Sequence, residues 1–107
     1  MPQFDVHRTT GQNRASIPYV VVLQSRRFDA ARTRLVAALR LAPEQPIADP
    51  NLTATFRIDG RDVLLDPLTI AAVARTLLRR LVGSLADDAS SGAIINAIDA
   101  VITRAHG

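Results

Sequence analysis

The sequence predicts a small domain that contains β-strands, two of them joined in a hairpin, and that closes on an amphipathic helix. Three observations point there. Asp59-Gly60 separates two alternating runs, Tyr19-Val20-Val21-Val22-Leu23 is continuous and β-branched, and Ile94 to Ile102 is amphipathic. With 107 residues the chain forms one domain, spanning residues 1–107, large enough to bury a core without staples.

In order along the chain, Gln3 to His7 reads as a strand because Phe4 and Val6 alternate with polar neighbours. Tyr19 to Gln24 reads as a second, central strand. Leu52, Ala54, Phe56 and Ile58 alternate with Thr53, Thr55 and Arg57, and Asp59-Gly60 then supplies the positive φ angles of a tight hairpin turn before Arg61 to Leu65. Two stretches stay open. Asp29 to Leu41 has helical spacing in Ala30, Ala31, Leu35, Val36 and Leu39, yet Leu35, Ala37, Leu39 and Leu41 would also face one way on a strand. Thr69 to Leu85 carries a helical stripe of Ile70, Val73, Ala74, Leu77, Leu78 and Leu81. On propensity alone both are helices. In the closing helix, Ile94, Ile95, Ile98, Val101 and Ile102 share one side, and Asn96, Asp99 and Thr103 share the other. The apolar side must dock on its own domain or at a subunit boundary, which leaves Thr103 to Gly107 as an available tip.

Composition excludes several chemistries. Cysteine is absent, which removes disulfides, thiol catalysis and cysteine-based zinc sites and fits a reducing cytoplasm. No apolar run is long enough to span a bilayer and no charged-then-apolar leader opens the chain, so the expectation is a soluble cytoplasmic protein without a membrane partner. All 13 basic side chains are arginine, and Glu44 is the only glutamate among the 10 acids. That bias fits a GC-rich genome, and arginine suits carboxylates as well as phosphates, so an acidic protein partner explains the net charge of +3 as well as nucleic acid does. The few aromatics make no base-stacking platform, and direct nucleic-acid binding is not expected.

Several segments in order resemble the CcdB family of toxins from bacterial toxin–antitoxin modules. They are Gln3-Phe4-Asp5-Val6, Tyr19-Val20-Val21-Val22-Leu23-Gln24-Ser25, Thr33-Arg34-Leu35-Val36 with Leu39, and Phe56-Arg57-Ile58-Asp59-Gly60. Asp66-Pro67-Leu68, Ala71-Ala72-Val73 and Ile94-Ile95-Asn96-Ala97-Ile98-Asp99 complete the set. The resemblance implies a mainly β fold, a small antiparallel β-barrel-like domain of the SH3-like CcdB, MazF and Kid type with one C-terminal α-helix. It makes Arg32 to Leu41 a strand, puts a brief helical turn around Leu68 to Ala72, and makes Ala74 to Leu78 a strand or extended segment.

The resemblance also implies a non-enzymatic, cofactor-free homodimer that binds the DNA gyrase A subunit and traps the enzyme with its DNA cut, in the manner of a topoisomerase poison serving plasmid maintenance. A CcdA-like antitoxin, partly disordered until bound and tending to an acidic tail, would neutralise it. The family's gyrase-binding triplet falls on Thr103, Arg104 and Ala105, extended by His106 and Gly107. Arg104 stands where the family commonly has glycine, and Ala105 where it has isoleucine. Two rivals follow: a family member with a lost or altered target, and a MazF-like endoribonuclease. The latter would have to recruit Arg8 with Thr9 and Thr10, or Arg14 in Gly11-Gln12-Asn13-Arg14, without the Gly-Asp-aliphatic element of that family.

Other residue types carry no site. His7 and His106 lie at opposite ends of the chain with no partner at ligand spacing. Ser90-Ser91 after Asp87-Asp88 reads as helix capping, and Gly83 and Gly92 form no phosphate loop. Arg26-Arg27 and Arg79-Arg80 read as solvated faces, either of which could meet an acidic antitoxin tail.

Overall fold

Residues 3–9, 16–41, 54–78 and 80–102 are described by a computed structural model. Six strands are followed by one helix: β1 (Asp5–Arg8), β2 (Tyr19–Val22), β3 (Thr33–Leu41), β4 (Thr55–Ile58), β5 (Arg61–Ala74), β6 (Leu81–Ser84) and α1 (Asp88–Ile102). The strands form one antiparallel sheet in the order β4-β5-β3-β2-β1-β6, curled into a nearly closed barrel. The mainly β architecture with a closing helix is therefore the observed one. Leu52 and Thr53 lie outside the described residues.

The turn between β4 and β5 is set by local chemistry. Asp59 and Gly60 adopt φ of 53° and 77°, both left-handed, as a two-residue hairpin matching the strand twist requires. β3 shows why helix formers end up pleated. It is flanked by β2 and β5, and Val36, Ala37, Ala38 and Leu39 are all buried, so both of its faces are covered. Ala37 and Leu39 join the main core, Leu41 packs against it, and Val36 turns the opposite way into a second cluster with Val22 and Leu78. Burial on two faces outweighs helix preferences of a few tenths of a kcal/mol per residue.

The helical turn expected around Leu68 to Ala72 is not there. Those residues belong to β5, and Ala71, Ala72 and Val73 pair with Val36, Leu35 and Arg34. The irregularity falls earlier. Ala37 faces Ile70 while Ala38 faces Asp66, so residues 67–69 are looped out of the ladder as a bulge. Pro67 has no N–H for a central ladder, and the bulge removes it from pairing. Asp66 closes the bulge by accepting from the Leu68 amide (3.1 Å), the Thr69 hydroxyl (2.7 Å) and Arg40 Nε (2.7 Å). Burial pushes the Asp66 carboxyl up, but the hydrogen bonds from Thr69, Arg40 and Leu68, with the Arg40 charge, outweigh it and hold it below the usual carboxylate value. The segment Ala74 to Leu78, expected as a strand or extended, instead holds a single 3₁₀ turn at Arg75–Leu77 between extended Ala74 and extended Leu78.

The main core lies inside the sheet and under α1. Val6, Tyr19, Val21, Leu39, Val63 and Leu65 supply its floor, and Ile94 and Ala97 close it from the helix. Phe4 holds an unusual φ of 68°, fixed on both sides: its amide donates to Val22 O (2.7 Å) and its carbonyl accepts from Leu85 N (2.8 Å). That conformation tucks the ring beneath the helix as part of the core.

Candidate partner-binding site

The residues predicted to meet the target, Thr103, Arg104, Ala105, His106 and Gly107, lie outside the described residues. What the structure defines is the element that delivers them. Asp87 caps α1: its Oδ2 accepts from Ser90 N (3.0 Å) and its carbonyl accepts from Ser91 N (2.9 Å). The hydrogen bonds from Ser90 hold the Asp87 carboxyl below its usual value. The capping reading of Asp87 to Ser91 is thus observed, and the helix starts six residues before the predicted Ile94.

The apolar side of α1 divides. Ile94 is 1% exposed and Ala97 is buried with it, while Ile95 and Ile102 remain 47% and 70% exposed. Between the helix and the sheet runs an open apolar groove of about 340 Å³, with Phe4, Leu23, Leu35 and Ile70 on the sheet side and Ile95, Ile98, Asp99 and Ile102 on the helix side. Of the predicted stripe, Ile94 anchors the helix, and Ile95, Ile98 and Ile102 line this groove. Spacing alone cannot separate them, because Ile94 and Ile95 are adjacent and only the tilt of the helix on the barrel decides which is covered.

A second groove of about 440 Å³ adjoins the first, sharing Leu23 and Leu35 with it, and is completed by Gln24, Ser25, Phe28 and Ala31. Phe28 sits in a 3₁₀ turn, Arg26–Phe28, started by Ser25, whose hydroxyl accepts from Arg27 N (3.4 Å). The Arg27 guanidinium lies 6.0 Å from the centre of the Phe28 ring, within cation–π range. Two side chains fix this loop from below. Gln24 Nε2 donates to Phe28 O (2.8 Å) and Thr33 O (3.2 Å), and its Oε1 accepts from Leu35 N (3.1 Å). Arg34 is 2% exposed and donates to three carbonyls, Asp29 O (2.5 Å), Ala31 O (2.6 Å) and Thr33 O (2.9 Å). Phe28 and Leu35 were not singled out as site residues from sequence; the available signal was an aromatic directly after an arginine pair, flanked by polar residues.

The residues a nuclease would recruit are only partly brought together. Arg8 forms a long ion pair with Asp59 (3.6 Å), and the Thr9 amide donates to Pro18 O (2.9 Å). Both border a cavity of about 170 Å³ whose remaining walls are Val20, Val36, Val73, Leu77 and Leu78. Thr10 and residues 11–14 lie outside the described residues. His7 is buried in β1, paired between β2 and β6. Among the described residues no group of three metal-ligating side chains occurs, and no helix is long and apolar enough to cross a membrane. Arg80 is exposed and its carbonyl accepts from Arg8 N (2.9 Å), whereas Arg79 and His106 lie outside the described residues.

A protein-family model described as CcdB protein matches residues 3–104. Among solved structures, one titled an endoribonuclease in complex with its cognate antitoxin, from Mycobacterial species, superposes with a TM-score of 0.75 at 11% sequence identity. The match covers 100% of this chain and 99% of that one. At such identity the likeness speaks for the fold alone. No curated protein matches the chain.

Proposed function

The chain belongs to the CcdB protein family, toxins of bacterial toxin–antitoxin modules, and from that premise we propose that it binds the A subunit of DNA gyrase and stalls the enzyme with its DNA cut. The observation that carries this reading is the family match over residues 3–104, which includes the whole helix leading to the tip. In the proposed mechanism the protein is a cytoplasmic homodimer. The exposed side of α1, at Ile95 and Ile102, meets the second protomer, and a two-fold pair of tips at residues 103–107 enters a symmetric target. A toxin that works as a wedge requires rigid placement and no proton transfer, so no catalytic group, metal or cofactor is called for. Support for rigidity comes from the capped helix start and the buried anchors Ile94 and Ala97.

The test is a supercoiling and cleavage assay with gyrase from the same organism. Full-length protein is expected to accumulate cleaved DNA, and a truncation ending at Ile102 is expected to lose that effect. Absence of trapped cleavage product at high toxin concentration would favour an altered target, a reading motivated by the charge and bulk of Arg104 in the tip. The endoribonuclease named in the structural match motivates one further control. Incubation with RNA alone is expected to leave the RNA intact, and metal-independent cuts would replace the gyrase proposal with a nuclease.

A further inference from the structure

We propose that the cavity bordered by Arg8 and Thr9 is a binding site for a small organic anion, a monocarboxylate with a benzene-sized apolar body. The cavity lies on the face of the sheet away from the groove along α1, so a ligand here is independent of the gyrase reading. Leu35 and Val36 are neighbours on β3 and point opposite ways: Leu35 lines the groove along the helix, and Val36 lines the cavity. Size limits the occupant. The cavity holds about 170 Å³, and an apolar cavity of about 150 Å³ is enough to bind benzene. Its walls are aliphatic: Val20, Val36 and Val73 come from the adjacent strands β2, β3 and β5, and Leu77 and Leu78 come from the 3₁₀ turn after β5 and its C-terminal cap. Val36 and Leu78 are buried, whereas Leu77 is 55% exposed and has apolar surface left to cover.

Two polar side chains select the head group. Thr9 Oγ1 is buried and has no hydrogen-bond partner among the described residues, a state that costs free energy until a partner arrives. The backbone around it is fixed, because the Thr9 amide donates to Pro18 O (2.9 Å) and the Arg8 amide to Arg80 O (2.9 Å). Rotation about χ1 exchanges the hydroxyl and methyl branches of Thr9 on that fixed backbone, which lets the hydroxyl donate to an acceptor in the cavity. Arg8 supplies the charge. Its side chain is 50% exposed and meets Asp59 only at 3.6 Å, a solvent-screened contact that holds the guanidinium weakly. A ligand carboxylate accepts from both groups, while an uncharged ligand of the same shape gains nothing from Arg8. Nucleotides are a poor fit, since the walls contain no aromatic ring on which a base could stack.

The experiment titrates the full chain with sodium benzoate at constant ionic strength and follows valine, leucine and isoleucine methyl signals by NMR. Shifts are expected at the cavity residues Val20, Val73 and Leu77 and not at Ile95 or Ile102 on α1, with a Kd on the order of 1 mM, the range open to so small a ligand. Benzyl alcohol, the same ring without the charge, is expected to bind about 10-fold more weakly, and acetate, the head without the ring, not to saturate. Arg8→Gln is expected to bring benzoate down to the affinity of the alcohol and to leave the alcohol unchanged. Thr9→Val is expected to weaken benzoate about 5-fold while the unfolding midpoint without ligand holds or rises, because an unpartnered buried hydroxyl has been replaced by a methyl group of similar size. That midpoint separates loss of the site from loss of the fold. Equal affinity for benzoate and benzyl alcohol overturns the anion site, as does the absence of shifts at the cavity methyls at about 20 mM benzoate. Loss of self-association on filling the cavity with Val73→Phe, read by sedimentation, assigns it to a second copy and overturns the proposal as well.

Discussion

Replacing Ile94 by alanine tests whether the helix rests on the barrel as described. Ile94 is 1% exposed and, with Ala97, is one of the two buried residues of α1, so it carries most of the helix's apolar anchorage. The substitution removes three carbons worth about 0.8 kcal/mol each in transfer free energy. The space left behind is bounded by the barrel core and cannot fully collapse, which raises the expected loss to about 3–4 kcal/mol. For a domain of this size that lowers the thermal midpoint by roughly 15 °C. Its neighbour supplies the internal control. Ile95 is 47% exposed, and Ile95→Ala is expected to cost under about 1 kcal/mol at a protein concentration low enough that self-association does not contribute. Urea unfolding followed by far-ultraviolet circular dichroism measures both. Equal midpoints for the two variants would mean that the helix does not seat on Ile94, and the proposed placement of the tips would lose its support.

Three further outcomes follow from the same geometry. Asp66 has a lowered folded-state pKa, so its stabilisation is fully present above the ordinary carboxylate pKa and fades as pH falls through the lower folded value; Asp66→Asn should cost about 1 kcal/mol at pH 7 and leave a shallower acid limb in urea midpoints measured from pH 7 to pH 2. Gly60→Ala meets no atoms within 4 Å but inherits φ of 77°, so an unfolding loss of about 1 kcal/mol should come from backbone strain alone, with the urea slope unchanged. Asp87→Ala removes the cap on Ser90 N, and amide exchange should quicken in the first turn of α1 while the protection of β3 stays as it was.

Much of the fold was legible because local chemistry and tertiary context agreed. Asp59-Gly60 required left-handed backbone whatever surrounded it, and the β-branched run at Tyr19 to Val22 had few alternatives to a strand. The middle of the chain was illegible for the opposite reason. Residues 33–41 and 69–78 are rich in alanine, leucine and arginine, and their helical stripe is dispersed in the structure: Ile70 packs on the main core, Leu78 and Val73 on the second cluster, and Leu77 is exposed. Here the resemblance to known toxins supplied what periodicity could not, except at residues 68–72, which are strand rather than a helical turn, and at residues 75–77, which form a 3₁₀ turn rather than extended chain. The bulge after Pro67 is held by Arg40, which lies 26 positions from Asp66 in sequence, and no local window contains both partners.

The site divides along the same line. The sequence by itself determined that a capped amphipathic helix ends the described chain, that arginine is the sole basic residue, and that cysteine chemistry is excluded, since these follow from residue identity and near-neighbour spacing. Only the tertiary structure decided which isoleucines are covered, and that Phe28 and Leu35 line a common groove. Those properties depend on how the helix and the 25–33 loop sit on the sheet, which packing and the hydrogen bonds from Gln24 and Arg34 across the loop decide rather than any residue's own preference.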